Sequence, residues 1–262
     1  MNNTFKLLSA FLKVNVQMSL AYRADTVVNI LLNLMWLGWE LLSLSIIFSN
    51  TDTIAGWSFG ELIALLGVFR LVHTLMIALV WPNTEKFNQS IRDGSMDYTL
   101  LQPVSSMFLV TFSRITVWRA WDLILALILI VIGVNMSGST TTPLSILVFI
   151  LLTLSGALII YSLWIVLIGL TFWFTKFDNN VTILQALLDA GRYPATVYPP
   201  WLRIIVTFVI PIAVATNIPL QGLRGDLDLG RVLIFLTIGG ISFLIASQVW
   251  KAGLKRYSGA SS

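Results

Sequence analysis

Long apolar segments, separated by shorter polar ones, are the feature that most restricts how this chain can fold. A helix needs about 20 apolar residues to cross about 30 Å of hydrocarbon. Only 11% of the residues are charged, whereas soluble domains carry about 25%. The sequence therefore predicts an all-α integral membrane protein with six transmembrane helices. The predicted spans are residues 26–48, 59–81, 115–134, 143–174, 201–217 and 231–250.

The segment before the first span, residues 1–25, predicts a different kind of helix. Phe5, Leu8 and Leu12 share one helical face, and Lys13 lies on the opposite one. A helix with one apolar and one basic face rests in the membrane interface rather than crossing the bilayer. We therefore expect an N-terminal interfacial, or elbow, helix and no cleavable signal peptide.

The distribution of Lys and Arg predicts the orientation, because cytoplasmic loops carry an excess of both. Six spans place most basic residues, and both termini, on the cytoplasmic side. The block 143–174 would be about 48 Å long as one helix, so it is either one long tilted span or two abutting segments. Two segments would move the basic C-terminal tail outside, which favours the six-span count.

The sequence offers little for catalysis. Without cysteine, no disulfide or thiolate metal site can form, and the single histidine, His73, leaves no cluster for zinc. The glycine-containing segment 133–140 lacks the lysine of a phosphate-binding loop. The net charge of +4 comes from residues at predicted membrane edges, so it does not indicate nucleic-acid binding. We expect neither an enzyme nor a bound cofactor or metal.

The polar insert 82–106 predicts a short helix over 85–92, with Thr84 as its N-cap and Gly94 as its stop. Phe87 and Ile91 lie four residues apart and share a face. This pattern favours docking onto another protein at the membrane surface. The residues predicted to form that contact are Glu85, Lys86, Phe87, Ile91, Arg92, Asp93 and Gly94.

Charged residues within the spans are costly and mark partners or water-filled paths. Glu40 and Arg70 lie at depths that differ by only about 4–5 Å, so an antiparallel hairpin can pair them. The alternative is that either side chain snorkels or contacts backbone carbonyls. Arg119 and Asp122 are three residues apart, a spacing that favours a local ion pair with a structural role.

Several aromatic residues lie deep in the predicted spans, close to these charges. Trp36 and Trp39 precede Glu40 on the first span, and His73 follows Arg70 on the second. These five residues are our candidate substrate path. The alternative for any one of the tryptophans is ordinary helix packing.

Two longer motifs support a family resemblance. Residues 91–105 read I-R-D-G-S-M-D-Y-T-L-L-Q-P-V-S, and residues 191–203 read G-R-Y-P-A-T-V-Y-P-P-W-L-R. The first resembles the first cytoplasmic loop of bacterial ABC-2 type permeases, the membrane subunits of ABC exporters. The second is similar to a segment of one bacterial branch of that family. Asp93 stands where glutamate is frequent, a conservative difference.

The resemblance implies that residues 1–262 form one permease domain in the bacterial inner membrane. It implies a second permease, either the same chain or a paralogue, and a separate cytoplasmic ABC ATPase that binds ATP and Mg. The coupling helix of the family would correspond to about 85–94, between spans two and three. Residues 176–200 would form a second cytoplasmic loop.

The expected cargo is a small amphiphilic compound, because the spans are apolar and rich in aromatic residues. Glu40 would add a preference for cations, unless Arg70 neutralises it. Export of a lipid, peptide or glycan remains open. The competing classes are a membrane scaffold and an ion-driven secondary transporter, which would show internal repeats and broken helices near mid-membrane.

Overall fold

The computed structural model describes residues 2–21, 23–174, 180–205, 207 and 212–257. These residues form helices joined by turns, with one isolated antiparallel bridge between Ile54 and Trp57. The all-helical prediction is therefore confirmed. The helices are α1 (Asn2–Ala21), α2 (Arg23–Phe48), α3 (Phe59–Leu79), α4 (Trp81–Arg92), α5 (Met96–Leu100), α6 (Ser106–Phe112), α7 (Ala120–Met136), α8 (Pro143–Gly169), α9 (Asn180–Asp189), α10 (Pro200–Ile204), α11 (Ile212–Arg224) and α12 (Leu229–Arg256).

Five helices in the described part of the chain are long and apolar enough to cross a membrane. Each coincides with a predicted block. The block 143–174 is a single span, because α8 continues directly into the 3₁₀ turn Leu170–Phe172. The five candidate spans are Ala24–Phe48, Phe59–Arg92, Val117–Met136, Pro143–Phe172 and Leu229–Arg256.

The predicted fifth span, residues 201–217, has different bounds. α10 ends at Ile204 and α11 begins at Ile212. The sequence also predicts a break or bend of this span at Pro211, a residue that lies outside the described ones. α11 then continues through Pro219 to Arg224. Between the fifth and sixth spans the sequence predicts a loop over residues 218–230. This prediction is wrong over 218–224, where buried Leu220 and Leu223 pack against the core and hold the helix together. The count of six continuous spans is not confirmed.

Small residues bring α3 and α7 into backbone contact. A Cβ atom on Gly133 of α7 would overlap the backbone of Ala64 on α3. One on Gly67 would lie 2.8 Å from the carbonyl oxygen of Ala126, which is too close for a real side chain. Such close approach replaces the hydrophobic effect as the source of helix association in a bilayer. α7 therefore holds the first half of α3 firmly.

The helix ends fall on two sides of the molecule. On the side we call the basic side lie α4–α6 and the end of α12, where the Tyr257 hydroxyl donates to the Gly94 carbonyl at 3.3 Å. On the opposite side, the turn side, short turns join α2 to α3, α7 to α8 and α11 to α12. There Arg224 of α11 pairs with Glu61 of α3 at 2.7 Å. This pair fixes the end of α11 to the start of α3.

A helix does form within residues 1–25. α1 lies beside the 3₁₀ turn Val117–Arg119 and the start of α2. Its position in the membrane interface stays a prediction.

Candidate functional site

A cavity of about 610 Å³ lies between α2 and α3. All five residues predicted for the substrate path line it: Trp36, Trp39, Glu40, Arg70 and His73. Leucine and isoleucine side chains of both helices complete its apolar wall. The two helices therefore bring together aromatic and charged groups that are 30 or more residues apart in sequence.

The predicted pairing of Glu40 with Arg70 is confirmed. Arg70 donates to Oε2 of Glu40 from Nη2 at 2.6 Å and from Nε at 3.1 Å. The two side chains are only 12% and 18% exposed, so water screens their attraction weakly. The carboxylate is neutralised where it faces the cavity.

A third charge, Arg192, reaches the same carboxylate. Its Nη1 lies 3.6 Å from Oε1 of Glu40, and its guanidinium lies 5.5 Å from the centroid of the Phe69 ring. Arg192 ends the 3₁₀ turn Ala190–Arg192, which packs against α3 and α11. The charge therefore lies level with the middle of α2 and α3, and its side chain is 36% exposed.

Part of the predicted second cytoplasmic loop, residues 176–200, is helical and packs into the bundle, while its place in the cytoplasm stays a prediction. Residues 175–179 lie outside the described residues, but Leu184 and Leu188 of α9 are buried in the core. Thr216 of α11 donates to the Gly191 carbonyl at 2.9 Å and fixes the turn. The apolar side chains at 184 and 188 are four apart, a helical spacing that the loop interpretation overlooked.

The predicted local pair of Arg119 and Asp122 is also confirmed, at 3.1 Å. Both residues line the cavity, which the sequence did not predict. Asp122 is nearly fully buried, and the Arg119 guanidinium stacks on the Trp118 ring at 4.4 Å. The cavity wall thus carries three guanidinium groups from three parts of the chain.

Some polar atoms at this site have no hydrogen-bond partner among the described residues. They are Nε of Arg119, Nε of Arg192 and Oδ1 of Asp122. Buried donors and acceptors are normally paired, because an unmade hydrogen bond is costly. Two of these buried atoms are donors, on Arg119 and Arg192, and the third, on Asp122, is an acceptor.

Removing one charge of the Glu40–Arg70 pair should destabilise the protein more than removing both charges. Glu40→Gln leaves Arg70 buried without a counter-charge, so we expect a loss of roughly 3 kcal/mol in unfolding free energy. Glu40→Gln with Arg70→Gln should recover part of that loss. Thermal unfolding of the purified variants measures both, with Ser43→Ala on the same helix as the control. A double variant less stable than Glu40→Gln would contradict this view of the pair.

The predicted coupling helix forms, but it begins earlier than predicted. α4 starts at Trp81, and Thr84 is not its N-cap. The Thr84 hydroxyl instead donates to the Val80 carbonyl at 2.7 Å and accepts from Nε1 of Trp164 at 2.8 Å. The predicted stop is correct, since Gly94 has a φ of +74°, which favours glycine.

The apolar face of α4 points into the chain rather than outward. Phe87 and Ile91 are 2% and 7% exposed. The ring of Phe87 lies 5.5 Å from that of Phe172 and 5.4 Å from that of Trp250. The expectation that these two side chains contact a partner is therefore wrong, because they already fill the core of their own chain.

The opposite face of α4 is exposed and polar. It carries Glu85, Lys86, Gln89 and Arg92, followed by Asp93. Beside it opens a cleft of about 590 Å³, lined by α4 and by residues between 95 and 113. Hydrogen bonds from Ser95 lower the pKa of Asp93, which keeps this carboxylate charged.

α3 and α4 meet at Val80, whose backbone is itself helical. Pro82 has no N–H to donate to the Ala78 carbonyl, and that oxygen accepts from the Thr116 backbone instead, at 2.9 Å. The Asn83 amide donates to the carbonyls of Thr111 and Arg114 at 2.8 and 2.7 Å. We call this region, residues 78–83, the joint. It is fastened to the segment that leads into α7.

A family model described as an ABC-2 family transporter protein matches residues 34–261. The chain belongs to the ABC-2 transporter family. No curated protein and no solved structure matches the sequence. Membership makes this ABC-2 protein a membrane transport subunit, a class that works with a separate ABC ATPase. Membership therefore does not favour an ion-driven transporter.

Proposed function

We propose that this ABC-2 protein is the permease of an exporter for small amphiphilic molecules. The observation that carries the proposal is the cavity between α2 and α3, which is large enough for a drug-sized ligand. Its aromatic and aliphatic wall suits an apolar body. Its few charged groups suit one polar end of the cargo.

The cavity is open toward α2, and this favours a second permease there. α2 contacts α3 through Leu37, Leu41 and Leu44, while Trp36 and Trp39 are more than half exposed although they line the cavity. A second copy, or a paralogue, packed on this face would close the cavity. Cargo would then pass between the two permeases.

The exposed face of α4 supports an energy-coupling role for this helix. In our proposal the ATPase binds this face from the cytoplasm, and its closure on ATP moves α4. α4 meets α3 at the joint, and Arg70 lies on α3, so the motion reaches the cavity. The cavity then alternates between inward and outward access.

The distribution of charge supports a cytoplasmic basic side. Lys86, Arg92 and Arg114 lie there, as do the basic residues at the end of α12. On the turn side lie Arg224 and Arg231. Under the positive-inside rule both termini are cytoplasmic and the membrane is the bacterial inner membrane.

The contacts of Glu40 argue against a cationic cargo. Glu40 would favour a cation only if Arg70 did not neutralise it, and both Arg70 and Arg192 contact its carboxylate. The preference for an amphiphile does not depend on Glu40. The proposed cargo is therefore an amphiphile without a preference for cations.

A susceptibility panel tests the proposal. A strain that lacks the gene should become more sensitive to amphiphilic toxins, and the intact gene should restore resistance. The gene carrying Trp39→Ala should restore it only partly, whereas Trp201→Ala, which lies outside the cavity, should restore it fully. Unchanged sensitivity together with a defect in surface glycan or lipid would overturn this cargo class.

A further inference from the structure

The charges of the cavity do not balance within its wall. Arg70 neutralises Glu40, and Arg119 neutralises Asp122. Arg192 lines the same cavity as a third guanidinium. Its contact with Glu40 is the longer of the two that Glu40 makes, 3.6 Å against 2.6 Å. Arg192 is therefore the surplus cation of the wall.

The other partner of Arg192 lies toward solvent. Asp189 accepts from Nη2 of Arg192 at 3.3 Å, but this carboxylate is 57% exposed and does not line the cavity. Exposed ion pairs are screened by water and contribute little. A ligand inside the cavity can thus replace Asp189 as the counter-charge of Arg192.

The balance of unpaired polar atoms favours the same kind of ligand. Among the described residues of the wall, the buried Nε atoms of Arg119 and Arg192 lack an acceptor, whereas the one unpaired acceptor is Oδ1 of Asp122, whose carboxylate Arg119 already contacts. Guanidinium groups bind planar or multidentate oxyanions better than neutral acceptors, because two parallel N–H groups match two oxygens. The Phe69 ring beneath Arg192 limits how far this side chain can turn away.

From these contacts we infer that the cavity binds the anionic headgroup, a carboxylate or a phosphate, of an amphiphilic cargo, with Arg192 as its specificity-determining residue. The tail lies against Trp36 and Trp39. The inference rests on the proposed function for its identification of the ligand as cargo. The headgroup binding itself can be measured without transport.

The test is binding to the full chain in nanodiscs of neutral lipid. Dodecyl phosphate, dodecyltrimethylammonium and inorganic phosphate are titrated separately by calorimetry, with empty nanodiscs subtracted. We expect dodecyl phosphate to bind at least about tenfold more tightly than the ammonium probe, a difference of one charge-assisted contact. Inorganic phosphate alone should bind weakly, because it lacks the tail.

Variants assign the preference to Arg192. Arg192→Gln should lower the affinity for dodecyl phosphate about tenfold and leave the ammonium probe nearly unchanged. Arg192→Lys should keep much of the preference, since the charge remains. Arg231→Gln, an exposed arginine on the turn side, is the matched control and should change nothing.

Three outcomes would overturn the inference. They are equal affinity for the two amphiphiles, a preference that survives in Arg192→Gln, and binding of inorganic phosphate as tight as that of dodecyl phosphate. A different result would contradict the proposed function: no ATP-driven transport of any amphiphile, whether anionic, cationic or neutral. If only cationic amphiphiles are transported, the inference of an anionic headgroup is wrong, while the proposed function as an exporter still holds.

Discussion

A chain with alanine at Glu85, Gln89 and Arg92 is expected to fold and insert normally but to lose most ATP-driven transport. These residues are spaced four and three apart, so they share the exposed face of α4. Their removal takes away the surface that a partner can contact and leaves the buried face intact. Transport and ATP hydrolysis are measured in vesicles that hold the permease and its ATPase.

Phe87→Asp is the contrasting variant. Its side chain lies between Phe172 and Trp250, so a carboxylate there would be buried without a partner and would cost several kcal/mol. We expect little folded protein, and size-exclusion chromatography will show it. Normal transport by the triple-alanine chain would show that the ATPase does not use this face.

The second large effect is expected from Gly133→Leu. A side chain at 133 meets the backbone of Ala64 and the Gly60 carbonyl, neither of which can rotate away. Overpacking against flexible side chains costs about 1–3 kcal/mol, and a collision with backbone should exceed that range. α3 and α7 would have to move apart, and this would distort the cavity wall to which both contribute.

The matched control is Gly240→Leu on α12, where nothing lies within 4 Å of the added Cβ. The thermal unfolding midpoints of the two variants in detergent give the comparison. We expect Gly240→Leu to match the parent and Gly133→Leu to unfold far below it or to aggregate. Similar midpoints would mean that the two helices tolerate a wider spacing.

Apolar length was sufficient to predict five of the spans, because a bilayer imposes that length on any crossing helix. The similar depths of Glu40 and Arg70 in their predicted spans were sufficient to predict their pairing, since an antiparallel hairpin places residues of equal depth side by side. Arg119 and Asp122 followed from helical spacing alone. Each of these predictions used only distances along one helix or one hairpin.

What the sequence could not show was which surface an amphipathic face meets. Phe87 and Ile91 form an apolar stripe, and such a stripe fits a partner as well as it fits the core of its own chain. Arg192 was missed for a related reason. Its place beside Glu40 depends on the packing of the 3₁₀ turn Ala190–Arg192 against α11, a long-range arrangement that no local pattern encodes.

Arg70 on α3 and Arg92 on α4 lie at similar distances from the joint. Arg92 lies about 18 Å from Val80 along α4, and Arg70 lies about 15 Å from it along α3. At the joint, the Ala78 carbonyl accepts a hydrogen bond from the Thr116 backbone, which belongs to neither helix. The joint is therefore anchored to a third part of the chain. In the proposed mechanism, a displacement of the outer end of α4 would pivot at the joint and would move Arg70 as well. Arg70 holds Glu40 through hydrogen bonds of 2.6 and 3.1 Å, so a displacement of Arg70 by about 1–2 Å away from α2 would carry both beyond the range of a hydrogen bond.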